Sequence, residues 1–141
     1  MDLDAGLAST SLLTSSPLRF GEGAEERGGR GSFDPAAALD RVDDDRELLI
    51  EILGLFREQA ATSPALIESA LARQDGSALE RAAHSLKGAA GNISADEVHE
   101  AAQRLEHAGR GGDWDAAQTA WADLAAALPR LDAALTEFEE S

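Results

Sequence analysis

From Trp114 to Phe138 the apolar residues fall at Trp114, Ala117, Trp121, Leu124, Leu128, Leu131, Leu135 and Phe138, an unbroken alternation of steps of three and four. That spacing returns to one side of an α-helix at every turn and to no single face of a β-strand, so the segment reads as one long amphipathic helix. Its stripe needs covering by other elements. With 43% apolar residues but only 4% aromatic ones, the chain suits an alanine- and leucine-rich helical bundle and argues against a β-sandwich. Pro129 lies inside the stripe, which stays in register across it, and predicts a kink rather than a stop.

Upstream, the punctuation is that of successive helices. Asp34-Pro35 and Ser63-Pro64 each place a capping side chain before a proline at the first helical position. Asp44-Asp45-Arg46-Glu47 can open a helix with acids near the positive end of its dipole and a stripe of Leu49, Ile52, Leu53, Phe56 and Ala60. After Ser63 the spacing continues through Leu66, Ile67, Ala70 and Leu71 until Gly76 stops it. Ser77-Ala78-Leu79-Glu80 and Ser94-Ala95-Asp96-Glu97 are capping-box patterns that start two further helices, with Asn92 closing the first of them in the left-handed conformation. The second carries Val98, Ala101, Ala102 and Leu105 and ends at Gly109 to Gly112. The expected fold is all-α, an antiparallel up-and-down four-helix bundle with a short extra N-terminal helix over residues 33–141. Residues 1–32, rich in Ser, Thr and closely spaced glycines, read as a linker or disordered arm.

Twenty-seven acidic against 12 basic residues give a formal charge of −15, which argues against non-specific binding to nucleic acid or an anionic membrane. Any partner must recognise a local patch. There is no cysteine, so no disulfide or thiol chemistry is available, in keeping with a reducing compartment. The N-terminus lacks a basic and apolar leader, and no run approaches the ~18 apolar residues of a membrane helix. These features predict a soluble, cytoplasmic chain. The sequon Asn92-Ile93-Ser94 is then a chance match.

The chemistry-bearing stretch runs from Ala83 to Ile93. Projected at about 100° per residue, Leu79, Ala83, Leu86, Ala90 and Ile93 share one direction, while His84 lies about 140° away, Gly91 about 120°, Lys87 about 80° and Gly88 about 180°. His84 therefore points outward, either as an ordinary surface histidine or as a reactive one. A neutral imidazole is a good nucleophile near neutral pH, and Lys87, three residues on, can offset charge on an incoming group. Gly88 and Gly91 cost about 1 kcal/mol each in a helix interior, which is explained if another protein must come close. His99 and His107 read as solvated. His99-Glu100-Ala101-Ala102-Gln103 begins like a zinc motif but lacks the second histidine. Asp43, Asp44 and Asp45 diverge around a helix and fit capping better than metal binding, so no metal site is expected. No phosphate-cradling glycine loop joined to a strand is present, hence no nucleotide site.

His84-Ser85-Leu86-Lys87-Gly88, followed by Asn92-Ile93 and, further on, Leu105-Glu106, resembles the histidine-containing phosphotransfer (HPt) domain of bacterial two-component phosphorelays, over about Phe33 to Phe138. Ser94 stands where members of that family usually carry glycine. The resemblance implies that His84 is a phosphoacceptor relaying phosphoryl groups between receiver-domain aspartates, that Lys87 stabilises phosphate charge, and that the chain has no kinase activity of its own. It implies no cofactor here, magnesium being held by the receiver, and as partners the receiver domains of response regulators and of hybrid histidine kinases. Arg81, Gly88, Gly91, Gln103 and Arg104 are then candidate partner contacts, although for Gln103, Arg104 and Glu106 a plain polar helix face serves equally. Two alternatives stand beside this reading: a phosphotransfer domain of a chemotaxis-type kinase, and a non-catalytic helical adaptor for a receiver-like partner. Met1 fits either a natural start or the start of a piece cut from a larger kinase.

Overall fold

The computed structural model describes residues 31–141; the expectation of a disordered arm falls, for residues 1–30, outside that span. Ser32–Ser141 form one compact unit, and the described residues form five helices and no strand: α1 Pro35–Arg41, α2 Arg46–Arg73, α3 Gly76–Asn92, α4 Asp96–Gly111 and α5 Trp114–Glu140. Around the molecule α3 packs on α2 and α4, α5 packs on α4 and α2, and α1 lies on α2. No helix among the described residues is long and apolar enough to cross a membrane.

The helix starts are set by aspartates more than by the serines the sequence suggested. Asp34, Asp45, Asp75 and Asp113 each accept a hydrogen bond from the backbone N–H three residues on, the N-cap geometry that satisfies one orphan amide. Ser63 does not open a helix. Helix α2 runs through Pro64, and the buried Ser63 turns its hydroxyl back to donate to the Gln59 carbonyl. Ser77 is likewise no cap: α3 begins at Gly76 behind Asp75, and the Ser77 hydroxyl instead accepts from Arg81.

Gly76 is not a stop signal either. The end of α2 is made by Gln74, with φ of 51°, and a Cβ on Gly76 would stand 2.6 Å from the Gly109 carbonyl oxygen. Glycine is needed there because α3 and α4 touch backbone to backbone. At the end of α3, Asn92 stays helical and Ser94 takes the left-handed conformation, φ 57°. The Ser94 N–H reaches the Gly91 carbonyl and the Ala95 N–H the Ala90 carbonyl, the paired bonds of a Schellman closure, whose left-handed position favours glycine. Ser94 thus ends α3 rather than capping α4, whose start at Ala95 carries no side-chain bond. Its buried hydroxyl accepts from Arg41 of α1 at 3.2 Å.

Leu79, Ala83, Leu86, Ala90 and Ile93 are completely buried, as are Val98, Ala102, Leu105, Leu124, Leu131 and Leu135. Each such leucine contributes about 1.5–3 kcal/mol through apolar burial. The stripe of α5 is turned from the expected one: Ala120 and Ala127 enter the core, while Trp121 and Leu128 are half-buried and line a groove of about 470 Å³ against α2. Arg57 bridges that seam, donating to Asp132, Thr136 and Glu139. Phe33 meets Phe138 edge-on at 5.6 Å, and Arg46 stacks over Phe138 while donating to its carbonyl at 2.8 Å. The first turn of α2 thereby holds the last turn of α5.

Candidate functional site

Helix α3 buries one side and leaves Arg81, His84, Ser85 and Gly88 on its exposed face. Two small-residue contacts fix it against α4. Near one end Gly76 lies on Gly109; near the other, a Cβ on Gly91 would stand 3.3 Å from His99 Cδ2. Between them His84 meets Glu106. The pairs 76 with 109, 84 with 106 and 91 with 99 run in opposite directions along the two helices, so the register that brings imidazole and carboxylate together is set at both flanks.

His84 keeps 67% of its side chain exposed, whereas Glu106 keeps 4%. A carboxylate so deeply buried must be compensated by charge or hydrogen bonds. Three groups do so. His84 Nδ1 lies 2.8 Å from Glu106 Oε2, Lys87 Nζ lies 2.7 Å from Oε1, and Arg110 Nη2, one turn further along α4, lies 3.2 Å from Oε2. Lys87 foremost, with His84 behind it, holds the Glu106 carboxyl below the usual carboxylate range, although burial pushes the other way. Arg110 also donates to Glu80 of α3 at 2.7 Å, closing the site on that side.

An ionised carboxylate can only accept, so the proton of the neutral imidazole sits on Nδ1, facing Glu106. The lone pair of Nε2 is then directed away from Glu106 on the exposed face. Such an imidazole has a set tautomer and orientation, the arrangement a carboxylate imposes on imidazole in many sites, and its Nε2 lone pair is available for nucleophilic attack.

The other residues singled out in the sequence separate into groups. Gly88 is exposed, with open space where a Cβ would stand. Gly91 faces His99 of α4, so its lack of a side chain serves the helix pair; His99 is correspondingly half-buried rather than solvated, while His107 is exposed. Arg81 is exposed and donates to Ser77. Gln103 is exposed on α4, and Arg104 reaches Asp123 of α5 at 2.9 Å. Lys87 is not a free cation beside the ring but is held on Glu106. Among the described residues no group of three or more histidine, aspartate or glutamate side chains could hold a metal ion.

The sequence reading included Glu106 in the family resemblance but gave it no role at the histidine, a polar helix face serving equally. A signal for it existed: Ala102, Glu106 and Gly109 stand at i, i+4 and i+7, all three buried, so the carboxylate occupies a place in a small-residue stripe that faces another helix.

In comparison with known families, the model described as Hpt domain matches residues 51–139. No curated protein and no solved structure matches the chain.

Proposed function

The chain belongs to the Hpt domain family, which implies phosphotransfer in two-component signalling, and on that premise we propose that His84 is the phosphoacceptor of a relay between receiver-domain aspartates. The observation that carries this reading is the 2.8 Å contact of His84 Nδ1 with the buried Glu106, which commits Nε2 to the exposed face. In the forward step the Nε2 lone pair attacks the phosphorus of a receiver's aspartyl phosphate. The N–P bond forms as the P–O bond to the aspartate breaks, and the carboxylate leaves with the electron pair. Positive charge develops on the ring, and Glu106 offsets it through the Nδ1–H bond. Lys87 supports the carboxylate and, with 22% of its side chain exposed, brings a cation to the edge of the space the phosphoryl group enters. Delivery to a second receiver is the same step reversed.

On this reading the working unit is residues 33–141 as an antiparallel up-and-down four-helix bundle, supported by the two- and three-residue links between α2, α3, α4 and α5, with residues 1–32 as an appended arm. It acts in the cytoplasm without kinase activity of its own. Its partners are receiver domains of response regulators and hybrid kinases, which hold the magnesium. Arg81 and Gly88 share the exposed face with His84 and belong to the contact surface.

The test is to incubate the chain with a panel of phosphorylated receiver domains and follow transferred label. Acid-labile, alkali-stable label should appear on the chain and vanish in His84→Gln with helical circular dichroism retained. Label that persists in His84→Gln would place the acceptor elsewhere and end this assignment.

A further inference from the structure

The groove of about 470 Å³ between α2 and α5 has no lining residue from α3, the helix that carries His84. Its walls are apolar, with Phe56, Trp121, Leu128 and Leu135 among alanines and two prolines. Pro64 and Pro129 each lie inside a long helix, where proline is the costliest residue to place. They stand near one level. Arg46, at the start of α2, meets the end of α5, so the two helices run antiparallel. Seven residues separate Arg57 from Pro64, and seven separate Pro129 from Thr136, whose hydroxyl Arg57 contacts. A proline has no N–H, so the carbonyls of Ala60 and Ala125, four residues back, lose the donor that a helix normally supplies. Both alanines line the groove. The apolar walls therefore carry two acceptors that the helix ladder does not pair, and a buried acceptor calls for a donor.

We propose that this groove binds a primary alkylamine in its ammonium form, an apolar body with a cationic head that donates hydrogen bonds. Its volume lies in the range of small-ligand sites, which are mostly apolar with a few placed polar groups. The charged lining residues are Arg57 and Asp132. Arg57 already donates to Asp132, Thr136 and Glu139, two carboxylates against one positive charge. Asp132 accepts through Oδ1 and keeps 67% of its side chain exposed. Glu68, also exposed, stands one turn beyond Pro64 on the same face of α2. A carboxylate or phosphate headgroup would meet net negative charge here. An ammonium instead finds carboxylates at the rim, and its N–H groups suit the carbonyls. A second copy of the chain fits less well, because two bodies each carrying a formal charge of −15 repel. Nothing in this site depends on the role of His84.

The test uses the full chain with Trp114→Phe, which leaves Trp121 as its one tryptophan and as the reporter of the groove. Octylammonium should give a saturable change in Trp121 fluorescence, with a Kd about tenfold below those of octanoate and octanol, the size of one charge-assisted hydrogen bond. Calorimetry on the unaltered chain should return the same order of affinities. Ala125→Leu fills the groove from an exposed position and should weaken octylammonium about tenfold, with helical circular dichroism retained. Pro129→Ala returns an N–H to the Ala125 carbonyl; it should raise the melting temperature and weaken octylammonium as well. No saturable change, equal affinity for octanoate or octanol, or undiminished binding in either variant overturns the proposal. So does a dimer in sedimentation equilibrium that Ala125→Leu dissociates, which would give the groove to a second copy of the chain.

Discussion

Removing the charge of Glu106 tests how much of His84's behaviour is imposed from beneath it. Glu106→Gln leaves an acceptor for Nδ1–H but no anion to offset the ring's developing charge, and transfer should slow by about 10- to 100-fold in single-turnover assays, the range for losing an orienting partner. The same substitution should change the response to acid. Because the folded-state pKa of Glu106 is depressed, its stabilising contribution is fully present above the ordinary carboxylate range and is lost as pH falls through the depressed value. The wild-type advantage over Glu106→Gln in urea unfolding should therefore shrink between about pH 7 and about pH 3; a constant advantage would show that the carboxylate is not stabilising. Gly88→Leu should keep or raise the melting temperature, since nothing lies within 4 Å of the added Cβ and leaving glycine gains up to about 1 kcal/mol of helix propensity. Receiver transfer should nevertheless fall sharply, and normal transfer would remove Gly88 from the docking surface. At this scale the outward direction of His84 was legible, because 100° per residue fixes a face within one helix. What sat beneath it was not. The contact with Glu106 depends on the register between α3 and α4, which is set by backbone approach at Gly76 and Gly109 and leaves only glycines in the sequence.

Helix ends in this chain are made by unusual residues for the job. Asp43, Gln74 and Ser94 all take positive φ at positions where Gly112 alone follows the common preference. Gln74→Gly should stabilise the domain by about 1 kcal/mol, the cost of left-handed backbone for a residue with a Cβ, measured by urea unfolding. Ser94→Gly should gain less, because the hydroxyl that accepts from Arg41 is lost with it; a gain as large as that of Gln74→Gly would mean that this bond contributes nothing. Gly76→Ala should cost about 1–3 kcal/mol, since the added carbon would stand 2.6 Å from a carbonyl oxygen of the neighbouring helix. The sequence made the helices plain but misplaced several boundaries, and the reason is chemical. Ser63-Pro64 has the composition of a start, yet the turn before it was already helical and Ser63 could satisfy a carbonyl inside it. Ser77 and Ser94 competed with aspartate and with a turn for the same role and lost to both.

Over the whole molecule the arginines are spent on seams. Arg57 ties α2 to α5, Arg110 ties α4 to α3, and Arg104 and Arg130 tie α4 to α5. The acids outnumber them, leaving a formal charge of −15 that repels itself across the surface. Exposed ion pairs contribute only about 0–1 kcal/mol each, so screening should relieve more repulsion than it removes attraction. Raising sodium chloride from about 10 mM to about 300 mM should lift the melting temperature by a few degrees, and a fall would show that the seam pairs dominate. The packing of α3 on α4 has a last consequence. Ring, carboxylate and both cations are already in place around His84, so the proposed reading gives loading and unloading the same site. On the proposed reading it is a passive valve. The direction of phosphoryl traffic is set by mass action, by which receiver pool is more fully charged, and reversing that ratio reverses the flow.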